Sequence, residues 1–559
     1  MKKFKSLIVM LVVLTLVMSC FVACGPADDE GGDWGTGGGT VNNGGNQGGE
    51  GTTGDPSNPG TPGSPSNPGT PGSPSNPGTP GSPSNPSNPS TPGGSSNPGS
   101  GGTQAPVELS GNPLLNPNKK MNKGAAVSYD IDKTGFSKGT LADLKGKTLT
   151  LFTGADYAFF SYHTSEGKGT ASSFVNEWQW FKEIKKLYGV SVKYIRCSGS
   201  GRSNVVKPFQ AMSAGKDCDL ITTHINSYPY VCNILAPLDQ YANFNNFENS
   251  PGLDPRITEL TTWKNHPVVI GPSFANGILL YNKTYITSLG IEDPHTQFKK
   301  GEWNWSNFKK YMIALPDKTT DGKKVYGMGT SGQYYYFAPS NGKPCFEHDT
   351  KNPNGGIINN WDSPEVKETY VWLEGVCDAG GAYNSTGGGT GLKMDDKSVA
   401  TVMAYSSVRF FDYIDHPDFK WELDWVPFPK NEKNSKAVNH VELYGFAIGV
   451  PRKTNKEGNR VAAVKFCELW ANRYCESLYD FLLNRQKWSY EEIEFFYNYS
   501  RQYGMMGMGS GLANFHAKTN EVNVNKSITD ASLSVAACIE KASNFAKQEI
   551  EAVLKFGAQ

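Results

Sequence analysis

Between Lys147 and Tyr228 the sequence predicts an α/β fold built on a parallel sheet with crossover helices. Three observations carry this. Short apolar runs of strand length lie at Thr148–Thr153, Val190–Ile195 and Asp219–Thr223. Between the first two, Phe174, Trp178, Phe181, Ile184 and Tyr188 recur at steps of four, three, three and four, which puts them on one helical face. Gly189 is placed to stop that helix, and Pro208 suits the first position of a second short helix ending at Gly215. Strand, helix, strand, helix, strand is the signature of parallel pairing through crossovers. Such sheets take ligands beyond the carboxyl ends of their strands. That marks Gly154–Tyr157 and His224–Tyr228 as a functional edge.

The chain begins differently. Lys2, Lys3 and Lys5 precede an apolar run from Leu7 to Met18, the layout of an export signal. The run is short for a membrane span. Val22-Ala23-Cys24-Gly25 resembles a bacterial lipobox, with Phe21 where leucine is usual; Cys20 is a second candidate. Residues 1–23 are therefore expected to be a lipoprotein signal peptide, with Cys24 lipidated. Two or more acyl chains on one cysteine anchor far better than one. Residues 24–105 are almost free of apolar side chains, and Ser-Asn-Pro-Gly-Thr-Pro-Gly-Ser-Pro occurs at 57–65, 66–74 and 75–83. That composition cannot build a core and reads as a disordered linker. A flexible chain of roughly 80 residues spans on the order of 50 Å. The expected location is the outer face of the cytoplasmic membrane, with the linker as spacer.

Residues 106–559 are long enough for two lobes with their own cores. Lysine plus arginine and aspartate plus glutamate balance at 53 each, so composition points to no nucleic-acid partner. Aromatic residues make up 12%, with 12 Trp and 26 Tyr, which suits sugar stacking as well as core packing. After Cys24 come Cys197, Cys218, Cys232, Cys345, Cys377, Cys467, Cys475 and Cys538, with no Cys-x-x-Cys pair and no zinc spacing. Single buried thiols are expected; export leaves one or two bridges open. No metal and no cofactor is implied.

Stretches spread along residues 140–555 resemble, in order, the extracellular solute-binding proteins of carbohydrate-type ABC importers. They are Leu141–Phe152, Gly215–Leu220, Ala236-Pro-Leu-Asp239, Leu280-Tyr-Asn-Lys283 with Gly290-Ile291, Gly301–Phe308, Asp321–Gly327, Lys397–Met403, Trp425–Lys430 and Gly445–Pro451. The chain departs from the family in size, with extra loops at 344–360, 384–396 and Met505–Gly511. The resemblance implies a two-lobed, periplasmic-binding-protein-like α/β fold with a hinge and an interlobe cleft. Lobe 1 would span about 140–275 plus a late segment, and lobe 2 about 284–440 plus the C-terminal helices. It also implies a monomer that carries a carbohydrate to a membrane permease. No Walker Gly-x-x-x-x-Gly-Lys-Ser/Thr is present, so this chain is not the ATP-driven motor.

A sugar site needs flat rings for C–H faces and fixed polar groups for hydroxyls. Asp156 and Tyr157 follow the first strand, and Asn226, Ser227 and Tyr228 the third. His224 lies nearer its strand and reads as structural. In the run Tyr334–Tyr336, read as a strand, neighbours alternate faces, and Tyr335 is the candidate. Tyr405 and Arg409 follow the Val399–Ala404 strand; Arg409 offers a fork to hydroxyls or to an interlobe carboxylate. Glu442 and Tyr444 precede the strand returning at 445. Trp263 and Trp361 are loop candidates, while Trp303 and Trp305 read as the structural start of a helix.

Catalysis is the weaker expectation. A glycoside hydrolase needs two carboxylates about 5–9 Å apart, and Asp395-Asp396 and Glu491-Glu492 are adjacent pairs that diverge or stay solvated. No Gly-x-Ser-x-Gly or His-Glu-x-x-His occurs. A surface glycan adhesin or sensory receptor on the same fold is the alternative to transport.

Overall fold

The computed structural model describes residues 131–153, 177–196, 203–224, 231–250, 252–272, 276–315, 317–318, 324–330, 334–379, 382–384, 399–406, 421–443, 446–453, 457–480, 482, 488–506, 524–528, 530 and 532–556. Residues 1–23, expected to be a signal peptide, Cys24, and residues 24–105, expected to be a linker, lie outside them.

The first lobe opens with β1 (Thr148–Thr153), α1 (Glu177–Tyr188), β2 (Ser191–Arg196), α2 (Ser203–Ser213) and β3 (Leu220–His224). β1 pairs in parallel with both β2 and β3, Thr148 facing Ser191 and Thr153 facing Thr222. Gly189 ends α1 as expected: at φ +71°, a conformation that favours glycine, its N–H donates to Lys185 O. The second helix departs from expectation. It starts at Ser203, so Pro208 lies inside it and not at its head. A proline supplies a helical φ, and here the helix carries it in its interior despite the missing amide donor and the ring's clash with the carbonyl four residues back, so Pro208 does not mark a first turn.

After α3 (Pro255–Leu260) the chain crosses into a second sheet through β4 (Asn276–Asn282). Then come α4 (Lys283–Ser288), α5 (Pro294–Lys299), α6 (Trp305–Ala314), β5 (Asp317–Lys318) and β6 (Lys324–Thr330). A hairpin of β7 (Phe346–His348) and β8 (Ile357–Asn359) precedes α7 (Pro364–Asp378), β9 (Ala382–Asn384), β10 (Val399–Ser406), β11 (Leu423–Val426) and β12 (Val441–Leu443). β13 (Phe446–Gly449) returns to the first sheet, whose order is β13-β3-β1-β2. The chain closes with α8 (Arg460–Asp480), α9 (Tyr490–Tyr503), β14 (Gly504–Met505), α10 (Val524–Ser527) and α11 (Val535–Lys555). The second sheet runs β14-β12-β4-β10-β6-β5, with β11 also on β4 and β9 on β6.

Strand alternation sorts the core into two layers, each spanning both sheets. Leu149 and Leu151 of β1 share one buried cluster with Ile278 and Leu280 of β4. Phe152 falls in the other, with Leu279 and Tyr281. The C-terminal helices, expected with the second lobe, divide. Helix α8 lies on the first lobe, where Phe466 meets Phe181 at 6.5 Å and Asn459 Nδ2 donates to Asp219 Oδ1 at 3.0 Å. Helix α11 lies on the second, Ser543 taking Asn359 Nδ2. Amphipathic pattern fixes which face of a helix is buried, not which sheet buries it.

Trp303 and Trp305 are structural, as expected. Asn304 caps α6, accepting from Asn307 N at 2.9 Å. Trp303 Nε1 donates to Pro427 O at 2.8 Å, and Trp305 stacks on Trp372 at 4.3 Å. Among the described residues, Cys218, Cys232, Cys345, Cys377, Cys467, Cys475 and Cys538 form no disulfide with one another.

Candidate functional site

The chain crosses between the sheets three times, the last time from β13 through α8 and α9 to β14, and two of these connections are short. The first leaves a bridge between Ile270 and Ile448 and enters β4 at Asn276. The second leaves β12 at Leu443 and enters β13 at Phe446. Because β13 is antiparallel to β3, Phe446 faces His224, the last residue of β3. The second crossing thus lands on the carboxyl edge of the first sheet. Its departure point is also a carboxyl edge. β12 and β10 are both antiparallel to β4, and β10 is parallel to β6, which is parallel to β9. Ser406, Thr330, Asn384 and Leu443 therefore end their strands on one side of the second sheet, where β4 begins. The two carboxyl edges are joined to each other directly.

Asp156, Tyr157, Asn226, Ser227 and Tyr228 follow strands that end on the first edge, and Arg409 and Tyr444 follow strands that end on the second; all seven residues lie outside those described. Tyr405 is in β10, its backbone opposite Leu279 of β4.

Tyr335 and Glu442 are described in full. The Tyr334–Tyr336 run is not a strand. It opens a 3-10 helix, Tyr334–Asn341, whose eight residues are all buried. A segment covered on every side carries no polar–apolar period, so its pattern could not separate helix from strand. Tyr335 is 3% exposed, with its ring 4.3 Å from that of Tyr336. Glu442 is fully buried in β12, between Gly277 of β4 and Met505 of β14. Its charge acts on Cys345, whose thiol is held well above its ordinary value by burial and then by Glu442. Cys345 and Tyr335 in turn act on the buried Tyr370. Glu442 and Tyr335 thus share one buried neighbourhood behind the second edge.

The loop tryptophans are core. Trp361 is fully buried, 5.5 Å from Tyr370 and 6.3 Å from Phe346. Trp263 is 3% exposed, donates from Nε1 to Asn233 Oδ1 at 3.1 Å and packs edge-on to His348. Gly355 of the β7–β8 hairpin lies against the same indole: a Cβ there would come within 2.5 Å of it. The extra loop at 344–360 is therefore packed structure between the lobes. Asn233, which also donates to Leu554 O and Phe556 O, escaped the sequence reading because a lone asparagine in a turn carries no periodic signal. Among the described residues, no group of three or more His, Cys, Asp or Glu side chains is arranged to hold a metal ion.

No protein-family model and no curated protein matches the chain. Solved structures do. An ABC substrate-binding protein from Listeria monocytogenes, in complex with cycloalternan, superposes with a TM-score of 0.50 at 16% identity over 72% of this chain and 99% of its own. The cyclic α-maltosyl-1,6-maltose binding protein of Arthrobacter globiformis gives 0.50 at 14% identity over 73% and 99%. An ABC transporter solute-binding protein from Agrobacterium radiobacter, with ribitol, gives 0.50 at 14% over 72% and 99%. The chain has the two-lobed α/β fold of periplasmic binding proteins.

Proposed function

We propose that this protein is an extracytoplasmic receptor that binds a carbohydrate between its lobes and hands it to the permease of an ABC importer. The observation that carries this reading is that the carboxyl edges of the two sheets are joined directly by the short connection from β12 to β13, carboxyl edges being where open α/β sheets take ligands. The neighbours in fold were solved with a cyclic oligosaccharide or a sugar alcohol, or are described as binding a cyclic maltosyl-maltose.

In finer detail, the ligand is an oligosaccharide. Asp156, Tyr157, Asn226, Ser227 and Tyr228 serve it from the first edge, and Tyr335, Tyr405, Arg409, Glu442 and Tyr444 from the second. The receptor is a monomer, released from its signal peptide and held to the membrane by acyl chains on Cys24, with residues 24–105 as spacer. It leaves its ligand chemically unchanged.

Thermal shift against a glycan panel tests the reading, because a ligand that binds only the folded form raises the melting temperature. Shifts with short oligosaccharides and no product on prolonged incubation are expected. A flat panel, or released sugar, overturns transport; preference for polymer over short oligomers turns it toward an adhesin. Replacing Cys24 by Ala is expected to release protein into the medium, and retention overturns that anchor.

A further inference from the structure

We infer that the lysine-rich amino edge of the first sheet is a docking surface for an anionic phospholipid bilayer. The turn before β1 meets the end of α1 there. Gly146 N donates to Gly189 O at 3.0 Å and Ser191 N to Lys147 O at 2.9 Å. A Cβ on Gly189 would touch Lys145 Cγ at 3.5 Å, so the Lys145 stem lies against the helix end. Lys185 and Lys186 occupy the last turn of α1, with Lys182 one turn earlier. Lys145, Lys182, Lys185 and Lys186 are exposed, and Lys147 is half-buried.

Asp143 and Asp132, the carboxylates just before β1, have other partners. Asp143 is held by Thr140 and lies within reach of Lys147. Asp132 pairs with Lys465 at 3.2 Å, and Glu183 is half-buried. Lys145, Lys185 and Lys186 make no ion pair with a described acidic residue. Lysines in a last helical turn also complement the helix dipole, but Lys145 and Lys147 come from another element, and the dipole does not call for an apolar residue. Leu187, set beside Lys185 and Lys186, is 58% exposed, more than any other large hydrophobic side chain described.

Exposed cations around one apolar side chain fit the headgroup layer of an anionic membrane, which attracts lysines over about a Debye length and accepts a leucine at its acyl boundary. The occupant follows from where the chain leads. The residues before Ile131 contain the apolar run at 7–18 and the linker, and they enter this same lobe, where Ile131 O accepts Lys465 Nζ at 2.7 Å. This rests in part on the tethered reading above, since a tether raises the local concentration of bilayer. The patch lies on the amino edge of β1 and β2, so docking there leaves the carboxyl edge free for ligand.

The test is sedimentation of the full chain, carrying Cys20→Ala and Cys24→Ala so that no acyl chain contributes, with vesicles of phosphatidylcholine alone or mixed with phosphatidylglycerol. Leader and linker are common to every variant. Wild type is expected to favour anionic vesicles about tenfold and to lose the preference near 0.5 M salt. Lys145→Glu with Lys185→Glu and Lys186→Glu is expected to abolish the preference, the three Lys→Arg changes to keep it, and Leu187→Ser to weaken it a few-fold. Circular dichroism and melting establish that each variant is folded. Equal binding to both vesicle types, or triple-Glu binding equal to wild type, overturns the proposal. Binding to inorganic polyphosphate without binding to anionic vesicles overturns the bilayer as occupant. Membrane release of the Cys24→Ala chain in cells reports on the anchor separately.

Discussion

Ile270 and Ile448 exchange both backbone hydrogen bonds, Ile270 N to Ile448 O at 3.0 Å and Ile448 N to Ile270 O at 2.8 Å. The pair clamps together two of the segments at which the chain passes between the sheets, one on its way to β4 and one just returned from β12.

Beside this clamp, Gly449 is closely enclosed. A Cβ there would lie 2.8 Å from Leu235 Cδ1 and 2.9 Å from Val268 O, a backbone atom that cannot step aside. Gly449→Ala is expected to cost about 1–3 kcal/mol by overpacking. Urea unfolding should show a lower midpoint with an unchanged slope; an unchanged midpoint counts against the packing described.

Lys465 and Glu468 are both buried, with Nζ to Oε2 at 3.2 Å and Thr134 Oγ1 donating to Glu468 Oε1 at 2.6 Å. Lys465→Met alone strands the carboxylate and is expected to cost about 3–5 kcal/mol. Adding Glu468→Leu is expected to recover most of that loss. A double-mutant cycle by denaturant unfolding measures it, and additive losses would mean that the two charges do not act as a pair.

His348 and His440 are each held down to about 3 by burial. His440 stacks on Phe428 at 4.8 Å, its Nε2 3.0 Å from Tyr336 O. The folded values lie below the ordinary value of 6.5, so the unfolded chain binds these protons first. Their contribution is present in full above pH 6.5 and is lost as pH falls toward 3, at about 1.4 kcal/mol per pH unit for each histidine. Unfolding free energies between pH 7 and 4 check the slope, and His348→Phe should reduce it by about half. A slope unaltered in that variant assigns the acid sensitivity elsewhere.

Glu442→Gln preserves the shape of the side chain and removes the buried charge beside Cys345. If the carboxylate accepts ligand hydroxyls, loss of a charged acceptor should weaken carbohydrate binding about tenfold or more. Calorimetry with the best ligand of the panel reads this. Unchanged affinity in a folded variant removes Glu442 from the site.

The parallel sheet was legible because its signals are local. The runs at Thr148 and Val190 and the face built by Phe181 and Ile184 each occupy one continuous stretch, and Gly189 reports its own backbone geometry. Tyr335 was misread as strand because a segment buried on all sides shows no alternation. Trp361 and Trp263 were candidates only because they stand outside helices and strands, and both proved to be core.

By itself the sequence determined the strand–helix alternation of the first lobe, the glycines that stop its helices, and the carboxyl edge from which candidates such as Asp156 and Asn226 follow. The tertiary structure alone decided that Phe446 lies beside His224, that α8 rests on the first lobe and α11 on the second, and that Tyr335 and Glu442 share one buried neighbourhood. The physical reason is range. Backbone propensity and side-chain period act over a few residues and leave their mark on the local sequence, whereas these meetings join residues far apart in the chain, and only the closing of the whole core selects them.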